Sequence, residues 1–214
     1  MDGRFAERAR AGEEGKSART RARLMDAAAD AFARRGLEAA SVAEIAQAAE
    51  VANGTFYNYF RDKDEIADAV AFAIARDFAE RIDAAMRDVD DPVLRVSAGT
   101  RRFVELATRE PTWGRAIVRA LASMPSVRHE VTSLARRDLE RGARAGAFRV
   151  AVDDLLLDLF AGMVATAVVV CLDGPGGPEV AERTAEHQLR MLGVAPARAR
   201  RAARHPLAPM PLEG

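Results

Sequence analysis

Apolar residues recur at helical spacing along most of the chain, and the punctuation between the recurrences is that of helix ends. Leu24, Ala27, Ala28, Ala31 and Phe32 share one face of a first helix, which Gly36 stops after a basic last turn of Arg34 and Arg35. Ser41 and Glu44 have capping-box spacing ahead of a short second helix with Val42, Ile45, Ala46 and Ala49 on one side. That helix ends near Glu50. Ala52 to Phe60 predicts a third short helix, and Asp62 with Glu65 opens a long fourth whose stripe is Ile66, Val70, Ile74, Phe78, Ile82, Met86 and Val89. Farther on, Pro marks helix starts and Gly helix ends: Pro92 to about Arg109, a short segment from Pro111, Pro125 to Gly146, Leu155 to Leu172, and Glu179 to Leu192 before Gly193. Residues 1–16 and 195–214 show no such period and read as disordered tails. Nine helices with short connections are expected.

Composition agrees with an all-α fold. Of the 214 residues 49% are hydrophobic, enough for a sizeable core, while aromatics are only 6% and Ala, Arg, Glu and Leu dominate. Lys plus Arg and Asp plus Glu number 32 each, so any basic surface must be local. A single cysteine, Cys171, excludes an internal disulfide; its apolar neighbours favour a buried small hydrophobe, with a reactive thiol as the alternative. No apolar stretch is read as reaching the roughly 18 to 20 residues of a membrane span, and Met1 to Lys16 is charged throughout. A cytoplasmic protein without a membrane partner is expected.

The second and third short helices form a helix-turn-helix, whose second helix enters the major groove of DNA. Asn53-Gly54-Thr55-Phe56-Tyr57-Asn58-Tyr59-Phe60 contains both tyrosines of the chain and two of its nine phenylalanines. Phe56 and Phe60 are four apart, so they share a face and anchor the helix against Leu24, Phe32 and Ile45. Asn53, Thr55, Tyr57, Asn58 and Tyr59 are left to the other faces, and Gly54 lets the backbone approach a phosphate closely. Lys63 begins the fourth helix, where the dipole already favours an anion. Lys16, Arg19, Arg21 and Arg23 supply cations on the other flank, with no acid between Lys16 and Leu24. For Phe56 and Phe60 the ordinary core role suffices; the exposed hydrogen-bonding set calls for a partner.

Residues 21–66, from Arg-x-x-Leu-Met-Asp-Ala-Ala through Ser-Val-Ala-Glu-Ile-Ala and Gly-Thr-Phe-Tyr-Asn-Tyr-Phe to Asp-Lys-Asp-Glu-Ile, resemble the DNA-binding region of the TetR family of regulators. The resemblance implies a homodimer, two recognition helices about one DNA turn apart, and a C-terminal body that binds a small molecule. It also implies phosphate contacts at Ser41, Thr55, Tyr57 and Lys63, with Asn53, Asn58 and Tyr59 near bases. Three positions depart from the family pattern. Glu50 stands where the family has Gly, requiring a left-handed Glu or a reshaped turn. Ala52 replaces a Ser or Thr cap, a task Asn53 is expected to take over. Ala43 cannot hydrogen-bond through its side chain.

The expected organisation is a tail at 1–16, a helix-turn-helix domain at 17–63, a ligand-binding and dimerisation domain at 64–194 and a tail at 195–214. Operator-DNA contacts fall to Arg21, Arg23, Ser41, Asn53, Gly54, Thr55, Tyr57, Asn58, Tyr59 and Lys63. An inducer pocket is placed at Phe103, Trp113, Ile117, Leu121, Met124, Arg128, Phe160 and Met163, with Phe148, Arg102, Arg109 and His129 as further candidates. The twofold surface is placed on the last two helices at Leu156, Phe160, Val164, Val168, Val180, Thr184, His187 and Met191. His129, His187 and His205 are too scattered for a metal site, and no cofactor is expected. The expected function is a ligand-responsive repressor rather than an enzyme, since Gly-rich phosphate loops, nucleophile elbows and compact carboxylate constellations are missing. A helical interaction module that has lost DNA binding is the alternative, to which Glu50, Ala52 and Ala43 lend support.

Overall fold

The computed structural model describes residues 5, 15–109, 111–174 and 176–207. Among these the chain is helical, in the order α1 (Lys16–Ala39), α2 (Val42–Ala48), α3 (Asn53–Phe56), α4 (Lys63–Ala85), α5 (Pro92–Arg109), α6 (Pro111–Ser123), α7 (Pro125–Arg144), α8 (Asp154–Asp173), α9 (Pro178–Met191) and α10 (Pro196–Ala203). Two compact units divide it, Met1–Ala73 and Ile74–Gly214. The expected boundary at 63/64 lies ten residues early, because Ile66 and Val70 in the first turns of α4 are fully buried and belong with the first unit.

Local signals act as expected in the first unit. Gly36 breaks the helical dihedrals of α1 at φ 79°. Ser41 caps α2 through the reciprocal bonds of a capping box: the Glu44 N–H donates to Ser41 Oγ at 3.3 Å and the Ser41 N–H to Glu44 Oε2 at 3.1 Å. At the start of α4 the Glu65 N–H donates to Asp62 Oδ1 at 2.8 Å. The expected tail at 1–16 lies outside the described residues apart from Phe5, whose N–H donates to Asp26 Oδ1 at 2.9 Å, and the cap and first residue of α1.

In the second unit α5 is the central helix, packed against α6, α7, α8, α9 and α10. Its buried face includes polar residues, and Ser97 and Thr100 tie it to its neighbours. Ser97 Oγ donates to the Ala202 carbonyl at 2.9 Å, Thr100 Oγ1 donates to Gln188 Oε1, and Gln188 Nε2 donates to the Phe160 carbonyl at 3.0 Å. Buried groups so paired avoid the cost of unmade bonds. The apolar core around them contains Val93, Val96, Leu139, Phe148, Leu157, Phe160, Leu189, Leu192 and Val194.

Two expectations are corrected here. The run after Gly193 is not all tail: α10 starts with Pro196 and buries Ala199, Ala202 and Ala203 at spacings of three and four, a small-residue face that arginines on the other side obscure in the sequence. Residues 208–214 lie outside the described chain. The other correction concerns α8, which by length and composition alone is apolar enough to cross a membrane, with a mean hydropathy of 2.4 over an 18-residue window. Its apolar content is divided between a face buried against α5, α6, α7 and α9 and an open face with Leu155, Leu159 and Val170.

Candidate functional site

The helix-turn-helix of the first unit sorts its side chains by face. Phe56 and Phe60 are fully buried, their ring centroids 5.8 Å apart, and Leu24, Phe32 and Ile45 are buried core residues with them. Asn53, Gly54, Tyr57 and Asn58 are exposed; Thr55 and Tyr59 are half-buried. Tyr57 leaves 55% of its surface to solvent while its ring meets Phe56 edge-on at 5.4 Å. A buried aromatic thus props an exposed one. Regular α-helix is shorter than the expected 52–60: it covers Asn53–Phe56, after which bonds from Asn58 N to Thr55 O and from Tyr59 N to Phe56 O carry the turn on to Phe60.

The turn before α3 is built on Glu50, which takes φ 53°. Of the two outcomes the sequence allows, the chain adopts the left-handed Glu. Arg23 stabilises the arrangement by donating to the Ala49 carbonyl and to Glu50 Oε2 at 3.0 Å. Asn53 does not take over the cap: Ala52 is the N-cap residue and no side chain satisfies it. Asn53 is instead the first residue of the helix, exposed and available to a partner. Arg21 is exposed with its guanidinium 4.9 Å from the Phe60 ring centroid. Lys63 Nζ donates to the carbonyls of Glu38 and Ala40 at 3.0 and 3.1 Å, which places its charge where the end of α1 meets the start of α4. Glu44 is held below the ordinary carboxylate range by the Ser41 N–H, and Glu65 by the Arg61 N–H. Ser41, Arg21, Asn53, Gly54, Tyr57 and Asn58 therefore form the exposed part of the expected set, with Arg23, Thr55, Tyr59 and Lys63 partly engaged within the protein.

The second unit contains a partly open cavity of about 100 Å³. Of the eight residues at which an inducer pocket is expected, Phe103, Leu121 and Phe160 line it. The other five expected pocket residues do not. Trp113 and Ile117 are buried elsewhere in the core, and Met124 caps α7. Arg128 lies 3.8 Å from Asp158, a residue of the outer groove described below, and Met163 opens onto that groove too. Nor do Arg102, Arg109, His129 or Phe148 reach the cavity; the Phe148 ring sits on Gly142, where a Cβ would come within 2.0 Å of it.

Polarity comes from residues that sequence reasoning missed. Arg95, only 4% exposed, donates from Nε to Asp138 Oδ2 at 3.0 Å, from one terminal nitrogen to Asp83 Oδ1 at 2.7 Å, and from the other to the Met86 carbonyl. Arg137 adds a second cation on Asp83 at 2.6 Å. A signal for Asp138 existed: it continues the register of Val131, Leu134 and Ala135, a lone acid on an apolar stripe.

The α8 residues expected at a twofold surface lie mostly on its inward side. Phe160, Val164 and Val168 are buried within the subunit, and Phe160 and Val164 face the cavity. The open face is Leu155, Leu159, Met163, Thr166 and Val170, and Leu159 to Val170 run beside Val180, Arg183, Thr184 and His187 of α9 in a groove. Val180, Thr184 and His187, expected at a twofold surface, line this groove. Leu156 and Met191 are half-buried and pack against the core. A helix apolar around its circumference offers two stripes, and its register does not say which turns inward. Cys171 is half-buried and burial pushes its thiol up, which favours the inert hydrophobe over the reactive thiol.

Residues 24–70 match the family of bacterial regulatory proteins described as tetR family, and residues 91–205 match the tetracyclin repressor-like C-terminal domain. A stretch of 56 residues is 45% identical to the HTH-type transcriptional repressor KstR2 of Rhodococcus jostii strain RHA1, covering 26% of this chain and 27% of that protein. The chain thus matches about a quarter of the length of this curated relative. Likeness to the crystal structure of RolR in complex with resorcinol extends over 92% of this chain and 98% of that one, at 30% identity and a TM-score of 0.79. Thermus thermophilus FadR in complex with lauroyl-CoA shares the fold, at 22% identity and a TM-score of 0.66 over 80% of this chain and 92% of that one.

Proposed function

This chain belongs to the TetR family of bacterial regulatory proteins, and from that premise we propose that it is a homodimeric, sequence-specific DNA-binding repressor released by a small molecule. The observation that carries the reading is the division of α3: Phe56 and Phe60 are wholly buried while Asn53, Tyr57 and Asn58 stand in solvent. Such a helix offers hydrogen-bonding side chains to base edges and phosphates, and its aromatic anchors hold them in register. Arg21, Ser41 and Lys63 add phosphate partners around it.

The cavity supports the second half of the proposal. Its volume, about 100 Å³, is of the order of cavities that admit benzene, so the fitting inducer is a single-ring molecule rather than an acyl-CoA. The resemblance to RolR, seen with resorcinol, favours the same size class. Ala79, Ile82 and Asp83 of α4 and Met86 just after it line the cavity, and α4 begins at Lys63. A ligand that binds one setting of α4 better than another therefore biases DNA binding.

Fluorescence anisotropy with a duplex from the protein's own promoter region tests the proposal. Affinity for that duplex is expected to exceed affinity for a scrambled one and to fall steeply between 50 and 200 mM salt, roughly a thousandfold if six phosphates are neutralised. Tyr57→Ala should weaken binding about tenfold or more, the loss of a base-edge or phosphate contact. Binding that ignores sequence and salt would overturn the repressor reading. Undiminished affinity in a folded Tyr57→Ala dimer would favour a helical module that has lost operator recognition.

A further inference from the structure

The cavity wall has an unusual balance of hydrogen-bonding capacity. Asp138 is 6% exposed and lines the cavity, and its buried Oδ1 has no hydrogen-bond partner among the described residues. Its other oxygen accepts from Arg95 Nε at 3.0 Å. Arg95 is held away from Oδ1, because its Nε serves Oδ2 while its terminal nitrogens are fixed on Asp83 and the Met86 carbonyl, and Asp83 is itself held by Arg137. The carboxylate is therefore fixed in place with one acceptor idle.

The two hydroxyls of the wall give no relief. Thr100 has committed its hydrogen to Gln188 Oε1 and Thr132 to the Arg128 carbonyl at 2.7 Å. A hydroxyl has one hydrogen to give, so what both can still offer a ligand is lone pairs. Arg95 and Asp83 also line it, paired with each other, and the remainder of the wall is apolar, with Phe103, Leu121, Val131, Leu134, Leu139 and Phe160 prominent. The free capacity of the Asp138, Thr100 and Thr132 side chains is thus to accept hydrogen bonds. A buried carboxylate oxygen is costly to leave unpaired, and a second anion beside it would be worse.

We infer that Asp138 selects the inducer: its Oδ1 accepts a hydrogen bond from a hydroxyl on a neutral, single-ring molecule, and the site rejects carboxylates and rings without a donor. The inference rests on the inducer-pocket reading above and adds the chemistry of the ligand. A phenol meets all three requirements of size, neutrality and an O–H.

Isothermal titration calorimetry on the full-length protein tests it, with resorcinol, m-xylene and benzoate as probes. Resorcinol and m-xylene have nearly the same shape, so their difference reports the hydroxyls. Resorcinol is expected to bind at least tenfold more tightly than either of the others. Asp138→Asn keeps an oxygen for Arg95 and puts an amide where the second acceptor was. This variant should lose tenfold to a hundredfold in resorcinol affinity, the worth of a hydrogen bond to a charged group, with m-xylene binding unchanged. A merely structural role for Asp138 would weaken both ligands alike and overturn the assignment. So would equal binding of resorcinol and m-xylene by the wild-type protein, tight binding of benzoate, or no binding of resorcinol at millimolar concentration. If Asp138→Asn does not fold, the wild-type comparison of the three probes still decides. Operator binding, followed separately by anisotropy without ligand, distinguishes the two levels: its loss refutes the repressor reading, whereas intact operator binding with indifference to hydroxyls refutes only the role of Asp138.

Discussion

Glu50 occupies a left-handed conformation at φ 53° immediately before the helix that carries Tyr57. For a residue with a Cβ this conformation costs about 1–2 kcal/mol, and the compensation visible here is Arg23, which bonds both the Ala49 carbonyl and the Glu50 carboxylate. The Glu50 side chain is largely exposed, so the ion pair itself contributes little. Glu50→Gly should therefore be stabilising: relief of the strained dihedral outweighs the extra chain entropy of Gly by about 0.5–1 kcal/mol. Urea unfolding measures it, and a variant less stable than the parent would show that the Arg23 bridge carries more than its exposure implies. The same residues show why charge counting alone misjudges a DNA-binding surface. Arg23 and Lys63 are both basic and near the motif, yet each already donates to main-chain carbonyls that the fold leaves at helix ends.

Helix starts and helix crossings set the next scale. The capping box of α2 predicts that Ser41→Ala lowers stability by about 1 kcal/mol, read from thermal unfolding; no change would mean that water replaces the cap without loss. Glu44 and Glu65 are held below their ordinary values by main-chain N–H groups. A carboxylate whose folded pKa is depressed stabilises above its unfolded value and stops doing so as pH falls through the folded one. Both helix starts should therefore fray on acidification below the usual Glu range, seen as faster amide exchange at Ser41 and Arg61, whose N–H groups the carboxylates hold, relative to the core of α5. The crossing of α5 and α6 depends on Gly114, where a Cβ would stand 2.1 Å from the Ala107 carbonyl oxygen. Gly114→Ala must separate two main chains, so a loss of about 1–3 kcal/mol or more is expected, in contrast to Gly162→Ala on the open face of α8, where a Cβ meets nothing within 4 Å. Equal behaviour of the two variants by calorimetry would contradict the close approach.

At the scale of the whole molecule the question is what covers the outer face of α8. Leu155 and Leu159 are 67% and 52% exposed in the single chain, and with Val170 and α9 they form an apolar surface of the kind that subunits bury between them. If two copies meet there, Leu159→Glu places an unpaired charge in the interface. The dimer should then weaken by about 3 kcal/mol or more, over a hundredfold, while the exposed site spares the subunit fold. Sedimentation velocity against concentration reports the change, and operator affinity should drop with it because two linked half-sites become one. An unchanged dimer would move the interface to another face.

By itself, the sequence determined nine of the ten helices among the described residues, the capping box of α2, and the helix-turn-helix with its buried Phe56 and Phe60 and exposed Asn53, Tyr57 and Asn58. Those features depend on spacings of three and four residues and on Pro, Gly, Ser and Glu at helix ends, all of which act between neighbours in the chain. Only the tertiary structure decided which side of α8 turns inward, that the Ala face of α10 packs rather than frays, and that the cavity takes its charges from Asp83, Arg95 and Asp138. Each of these depends on partners from separate helices. A stripe that is apolar all round, or a lone acid on an apolar face, has no preferred neighbour until packing supplies one.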